Sequence, residues 1–241
     1  MLVMSEKSPD LSIILQMPKQ MPSSQFLKDS LRDIQSFFNK LPISYEVIIA
    51  GQCPERTSEA SVKSAMLKAS GEFHFLLDSA LSIPLAEIIV FLAHFRAHPE
   101  IEVLVGSRNL NTSKILFREN TTNRMVRQVM NRMTQKIFLS GLDKDVDDAF
   151  CKFKAFRKSA SNQIFKLQRA PEELLDIEVL MLAQSLKQSV DILPIRWTAA
   201  PAKNFTGFFC GFKLFFALLE LKHTVNHSLK ELLLSQGFSQ D

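Results

Sequence analysis

Three cysteines, one tryptophan, one tyrosine and seven glycines are few for a chain of 241 residues. Cys53, Cys151 and Cys210 are odd in number and far apart, so they give neither a disulfide framework nor a zinc-binding spacing. They suit a reducing compartment, and a cytoplasmic protein is expected. No apolar run reaches the roughly 18 to 20 residues of a membrane span. The nearest, Phe205 to Leu219, is interrupted by Thr206 and Lys213, so no integral membrane protein is expected. Glu6, Lys7 and Asp10 break up the start of the chain, which does not read as a signal peptide. What is abundant is phenylalanine, with 20 copies, read first as a Phe-packed core. Their crowding near the C-terminus leaves a hydrophobic ligand or a membrane contact open. The net charge of +4 informs only where it is concentrated.

The first half of the chain alternates short apolar runs with amphipathic stretches. Leu11 to Leu15 reads as a buried strand, and a helix capped by Ser23 or Ser24 follows through Phe37. SYEVIIAG is the second strand, ending at Gly51, and Ser58 to Ala69 the second helix. GEFHFLLD is the third strand, Pro84 to about His98 the third helix, and IEVLVGS the fourth strand. Continuous apolar strands separated by helices predict a mostly parallel sheet flanked by helices, an α/β fold. The second half is irregular: a long helix over about 122–139, the alternating stretch CKFKAF read as an edge strand, a helix over 174–186, the strand SVDILPIRW, and a helical tail from Phe205. We expect a domain over 1–204 and a helical extension over 205–241. In open parallel sheets ligands bind beyond the carboxyl ends of the strands. That puts Ala50-Gly51-Gln52, Asp78-Ser79-Ala80 and Gly106-Ser107-Arg108 on one rim.

With those strand ends in view, FLLDSALSIPLAEI, VLVGSR, DAFCKFKAF, LLDIEVLMLAQ and ILPIRWTAAPAKNF follow one another in a familiar order. The chain resembles the family 2 glycosyltransferases of the GT-A fold, and among them the dolichyl- or polyprenyl-phosphate sugar synthases, over roughly residues 10 to 205. The resemblance implies transfer of a sugar from a UDP- or GDP-sugar to a lipid phosphate. It also implies an Asp-x-Asp pair that shares Mg²⁺ or Mn²⁺ with the diphosphate, a task that suits carboxylates and hard cations. Carried over position by position, it nominates Asp78 and Asp148 as catalytic acids. It nominates Arg108, Arg124, Arg127 and Lys203 as phosphate-binding bases, because an arginine fork pairs bidentately with phosphate oxygens.

The departures from the family fall where its chemistry is done. LQMPKQ replaces a polar turn ending in Asn-Glu, AGQCPERT has no Asp where the family's acidic turn contacts the nucleotide, and Ala80 stands where the second aspartate of the pair belongs. Lys152 replaces a glycine in CKFK. Two readings stay open. In one, a degenerate pseudoenzyme without a metal cofactor serves as a binding or scaffold module for an anionic ligand such as a nucleotide diphosphate, a phospholipid or a partner. In the other, an active polyprenyl-phosphate glycosyltransferase uses basic residues in place of Mg²⁺ or Mn²⁺. Asp78 also reads as a cap for the helix after Pro84, and Asp148 as a solvated loop carboxylate. Asp176 and Glu178 read as structural.

Between Lys114 and Lys136 stand Arg118, Arg124, Arg127 and Arg132, with Glu119 the one acid. On the expected helix Arg124, Arg127 and Asn131 share a face. Nucleic acid is not expected, since no RNA-binding motif or aromatic platform accompanies these bases. The Phe-rich tail leaves open peripheral contact with the inner face of a membrane, burial against the domain, or a homo-oligomer through the C-terminal helix.

Overall fold

The structure is a computed structural model that describes residues 8–18, 24–53, 56–115, 121–142, 144–171, 173–197 and 208–235. The strands are β1 (Leu11–Gln16), β2 (Tyr45–Cys53), β3 (Arg56–Ala60), β4 (Phe73–Asp78), β5 (Val103–Ser107), β6 (Lys114–Ile115), β7 (Lys154–Arg157), β8 (Val190–Pro194) and β9 (Arg196–Trp197). The helices are α1 (Ser24–Phe38), α2 (Val62–Lys68), α3 (Ala86–Ala97), α4 (Thr121–Phe138), α5 (Lys158–Leu167), α6 (Leu175–Ser185) and α7 (Phe208–Ser235). Seven strands form one sheet in the order β3-β2-β1-β4-β7-β5-β8, and β6 pairs with β9 beside it. Strands β1, β2, β4, β5 and β8 run one way, and β3 and β7 run against them, so the sheet is mostly parallel as expected.

Period-two alternation sorts the strand side chains onto two buried faces. Leu11, Ile13 and Leu15 of β1, Phe73, Phe75 and Leu77 of β4, and Leu104 of β5 pack beneath α1 and α3 against Ile34, Phe38, Ile88, Phe91 and Phe95. Ile14, Leu76, Val103, Val105 and Phe156 meet the other layer, made by α2, α5, α6 and α7. With both faces covered, strands read as unbroken apolar runs. Much of the phenylalanine is core, as composition predicts: Phe73 stacks on Phe95 at 5.1 Å and Phe91 tilts onto Phe153 at 4.5 Å. α7 packs on the body through Leu218, Leu221 and Val225.

Three expectations need correction. SVDILPIRW is not one strand, since β8 lies in the large sheet and β9 pairs with β6. The stretch from Ser58 does not open a helix. β3 pairs antiparallel with β2 across an irregularity between Gly51 and Cys53, and α2 starts at Val62. Its N-cap is Ser61, whose Oγ accepts from the Ser64 amide at 3.2 Å. Nor is CKFKAF an edge strand, because β7 lies inside the sheet, antiparallel to both β4 and β5. Its alternation misled because Lys154 is fully buried. The ammonium donates to the Cys151 carbonyl, to the Ala149 carbonyl at 3.3 Å and to Asp176 Oδ1 at 2.6 Å. Helix α5, directly after β7, was not anticipated from the sequence.

Candidate functional site

The ends of β1, β2 and β4 are in register, with Gln16 opposite Ala50 on one side and Asp78 on the other. The amide of Ser79 donates to the Gln16 carbonyl at 2.9 Å, and Ser30 Oγ donates to the Ser79 carbonyl at 2.8 Å. Asp78 is half-buried, and its Oδ1 accepts from the amide and hydroxyl of Ser82 at 3.2 and 3.1 Å. The carboxylate thus closes its own turn, in which Leu81 takes a left-handed φ of 47°. Ala80 is exposed and offers no ligand. Next to this turn Met17 is buried, and Gly51 crosses it with φ +113°; a Cβ there would lie 3.0 Å from Met17 Cβ. Lys152 is exposed, while Lys203 lies outside the described residues, as does the boundary between 204 and 205. The side chain of Gln52 is likewise outside them.

The end of β5 carries a denser polar cluster. Asp148 is 0% exposed and receives the Arg108 fork, Nε on Oδ2 at 2.6 Å and NH2 on Oδ1 at 2.7 Å. The Arg108 amide adds a bond to Oδ2 at 3.0 Å, and Asn131 Nδ2 one to Oδ1 at 3.2 Å. Arg127 approaches from α4 with NH1 3.7 Å from Oδ1 and donates to Asn109 Oδ1 at 2.9 Å. Both arginine side chains are 11% exposed, and Trp197 lies under the Arg108 guanidinium at 5.0 Å. Burial would raise the Asp148 pKa, but the bonds and charge of Arg108, aided by Arg127, hold it below the ordinary carboxylate value. Asp147 shifts the other way: burial raises it, the charge of Asp148 adds to that, and a 2.7 Å bond from Ser107 Oγ offsets only part. Burial, with Asp148 nearby, pushes the Cys151 thiol up to about 12, which makes it chemically inert.

Of the sequence-nominated residues, Asp148, Arg108 and Arg127 come together here. Arg124 is exposed on α4, and Asp78 stands apart at the end of β4. Sequence reasoning missed Asn109, Asp147 and Lys154; only the position of Asn109 directly after the strand-end Arg108 hinted at a part. Asp176 and Glu178 serve the framework. Asp176 neutralises Lys154, and Glu178 accepts from the amides of Arg169 and Ala170 and from Gln168 Nε2.

An open cavity of about 680 Å³ adjoins the cluster between α4 and the segment before β7, bordered by Asn109, Asn131, Gln135, Arg132, Asp145 and Asp147. Asp78 does not border it. For a divalent cation the donor set at β4 does not fit. One carboxylate already engaged by Ser82 and an adjacent alanine supply too few oxygens, and among the described residues no three of His, Cys, Asp and Glu are grouped to hold a metal.

No family model matches the chain, and no curated protein matches it in sequence. Solved structures do match its fold. Glucosyl-3-phosphoglycerate synthase from Mycobacterium tuberculosis in complex with phosphoglyceric acid aligns at 14% identity with TM-score 0.51, over 97% of this chain and 82% of that one. The same enzyme with Mn²⁺, UDP and glucosyl-3-phosphoglycerate aligns at 13% identity with the same score and the same shares of the two chains. A mannosyltransferase from Pyrobaculum calidifontis in complex with GDP-Man and Mn²⁺ aligns at 12% identity and TM-score 0.44, over 83% of this chain and 59% of that one. The chain has the GT-A fold of the nucleotide-diphospho-sugar transferases.

Proposed function

We propose that this protein is a glycosyltransferase-like module that has lost metal-dependent sugar transfer and binds an anionic ligand, a nucleotide diphosphate or a lipid phosphate. The observation that carries the reading is the employment of the acids. Asp78 is bonded to Ser82, and Asp148 is sealed beneath Arg108 and Arg127. Asp148 is thereby closed to a substrate, and Asp78 Oδ1 is engaged in closing its own turn. The same pairing weighs against an active polyprenyl-phosphate glycosyltransferase in which bases replace the cation, because two nominated arginines are already engaged with a buried acid. Asp78 and Asp148 are then inherited positions turned to holding the rim. The bases left outward, with Arg124 among them, serve anion binding. We further take 205–241 as an extension of a domain over 1–204.

The test is product formation. Purified protein is incubated with radiolabelled UDP- and GDP-sugars and a polyprenyl phosphate, with and without Mn²⁺, and the lipid phase is counted. The reading expects counts at background in every tube. Label in the lipid phase that disappears in the Asp78→Asn variant overturns it.

A further inference from the structure

Helix α4 is turned inside out for a helix on the surface of a single chain. Its inward face is polar up to the last turn, where Phe138 enters the core: Asn131 and Thr134 are each 1% exposed, and Arg127 reaches inward to Asp148 and Asn109. Its outward face is apolar. Met125 is 67% exposed, Val129 54%, Met133 39% and Ile137 40%. These four recur at i, i+4 spacing, so they form one continuous stripe over the length of the helix. Single exposed apolar residues need no explanation, but a contiguous stripe marks a surface that something covers.

The charge around the stripe decides what covers it. Arg124, Arg132 and Lys136 are exposed on the same helix, and TTNRMVRQVMNRMTQKIF contains no acid. A second copy docked through this face would set these three bases against their own equivalents, with one exposed acid beside them, Asp145, already bonded to Gln135 Nε2 at 3.0 Å. An anionic bilayer satisfies both halves of the pattern. Apolar side chains enter the headgroup–acyl boundary, while long basic side chains reach back to lipid phosphates. At 1.5 Å per residue the helix offers a footprint of roughly 27 Å.

We propose that the outward face of α4 is a membrane-docking face that seats on a bilayer surface bearing anionic lipid. The inference goes beyond the reading of the crevice, since docking needs neither nucleotide nor sugar transfer. No helix among the described residues is long and apolar enough to cross a membrane, so the contact is peripheral.

Vesicle co-sedimentation with the full chain tests it. The probes are vesicles of phosphatidylcholine alone and vesicles containing a third phosphatidylglycerol. Wild type should sediment with the second kind, bind the first weakly, and be released by salt. The triple variant Met125→Gln, Val129→Gln, Met133→Gln should bind at least about tenfold more weakly. Arg132→Glu with Lys136→Glu should lose about tenfold or more and most of the salt dependence. Each substitution is on an exposed side chain, and an unchanged melting temperature checks that the fold is intact. Val90→Gln alters an exposed apolar residue on α3 and should bind as wild type does. Four results overturn the proposal: no binding to the anionic vesicles, equal binding to both kinds, equal loss in Val90→Gln, or a wild-type dimer that the triple variant dissociates. The last would make a second copy the occupant.

Discussion

Arg108 grips Asp148 with two bonds of 2.6 and 2.7 Å in a setting where the acid has no contact with solvent. The arginine ends β5 and the aspartate stands before β7, so one ion pair ties together the carboxyl-end rim at the point where the sheet reverses direction. Removing one partner of a buried pair leaves the other uncompensated, at a cost of about 3–5 kcal/mol. We predict that Asp148→Ala lowers unfolding stability by that order, because it strands Arg108 and the nearby Arg127. Urea denaturation measures it. A loss below about 1 kcal/mol would mean the pair is not what holds the rim.

Lys154 and Asp176 make a second pair, with Lys154 fully buried. Asp176→Leu alone should destabilise by about 3–5 kcal/mol, because it leaves a cation in the core with carbonyls as its partners. Adding Lys154→Met removes the charge as well as its partner, and the double variant should recover most of the loss. A double-mutant cycle reads the coupling directly. Additive losses would contradict the assignment of Asp176 as the counter-ion.

His74 sets a pH dependence of its own. The ring is buried in β4, where Nε2 donates to the Gly71 carbonyl at 3.1 Å and Nδ1 therefore accepts from Ser161 Oγ at 2.8 Å. Burial lowers its pKa from 6.5 to about 4, so the folded protein keeps the ring neutral. Between those values the unfolded chain binds the proton and the folded one does not, so stability falls as pH falls through that window. Relative to a His74→Gln variant, wild type should lose on the order of 3 kcal/mol between pH 7 and pH 4. Parallel stability curves would contradict a neutral buried ring. Asp148 adds a separate loss at lower pH, because its lowered pKa gives stability present above about 3.8 that disappears as the acid is protonated.

Gly71 is fixed by close approach rather than by its φ. A Cβ there would lie 2.6 Å from Leu11 C and from Ser12 N, both backbone atoms that cannot step aside. Gly71→Ala should therefore cost roughly 1–3 kcal/mol or more by overpacking. An unchanged melting temperature would show that the turn before β4 is softer than its geometry implies.

The helices and strands of the first half were legible because burial on both faces writes strands as apolar runs and helices as 3.6-residue repeats. β3 was not, since RTSEA has no apolar pattern and it pairs with β2 across a register irregularity between Gly51 and Cys53. β7 was misplaced because sequence shows Lys154 but not the acid that makes its burial tolerable. At the site, motif order pointed to Arg108, Arg127 and Asp148 but not to their mutual neutralisation, which depends on the distance between β5 and the segment before β7. The inverted face of α4 was hidden for a related reason: the spacing groups Arg124, Arg127 and Asn131, whereas the fold turns Arg127 and Asn131 inward and leaves Arg124 outside.

The most direct measurement of the central claim is the melting temperature of the purified protein with UDP, GDP and their sugars, each with and without Mn²⁺. A ligand at 100 times its Kd would stabilise the folded state by about 2.7 kcal/mol, a shift readily seen. With Asp78 bonded to Ser82 and Ala80 beside it, no rise should require Mn²⁺. A nucleotide-dependent rise that appears only with Mn²⁺ would contradict it and restore a working metal-dependent donor site.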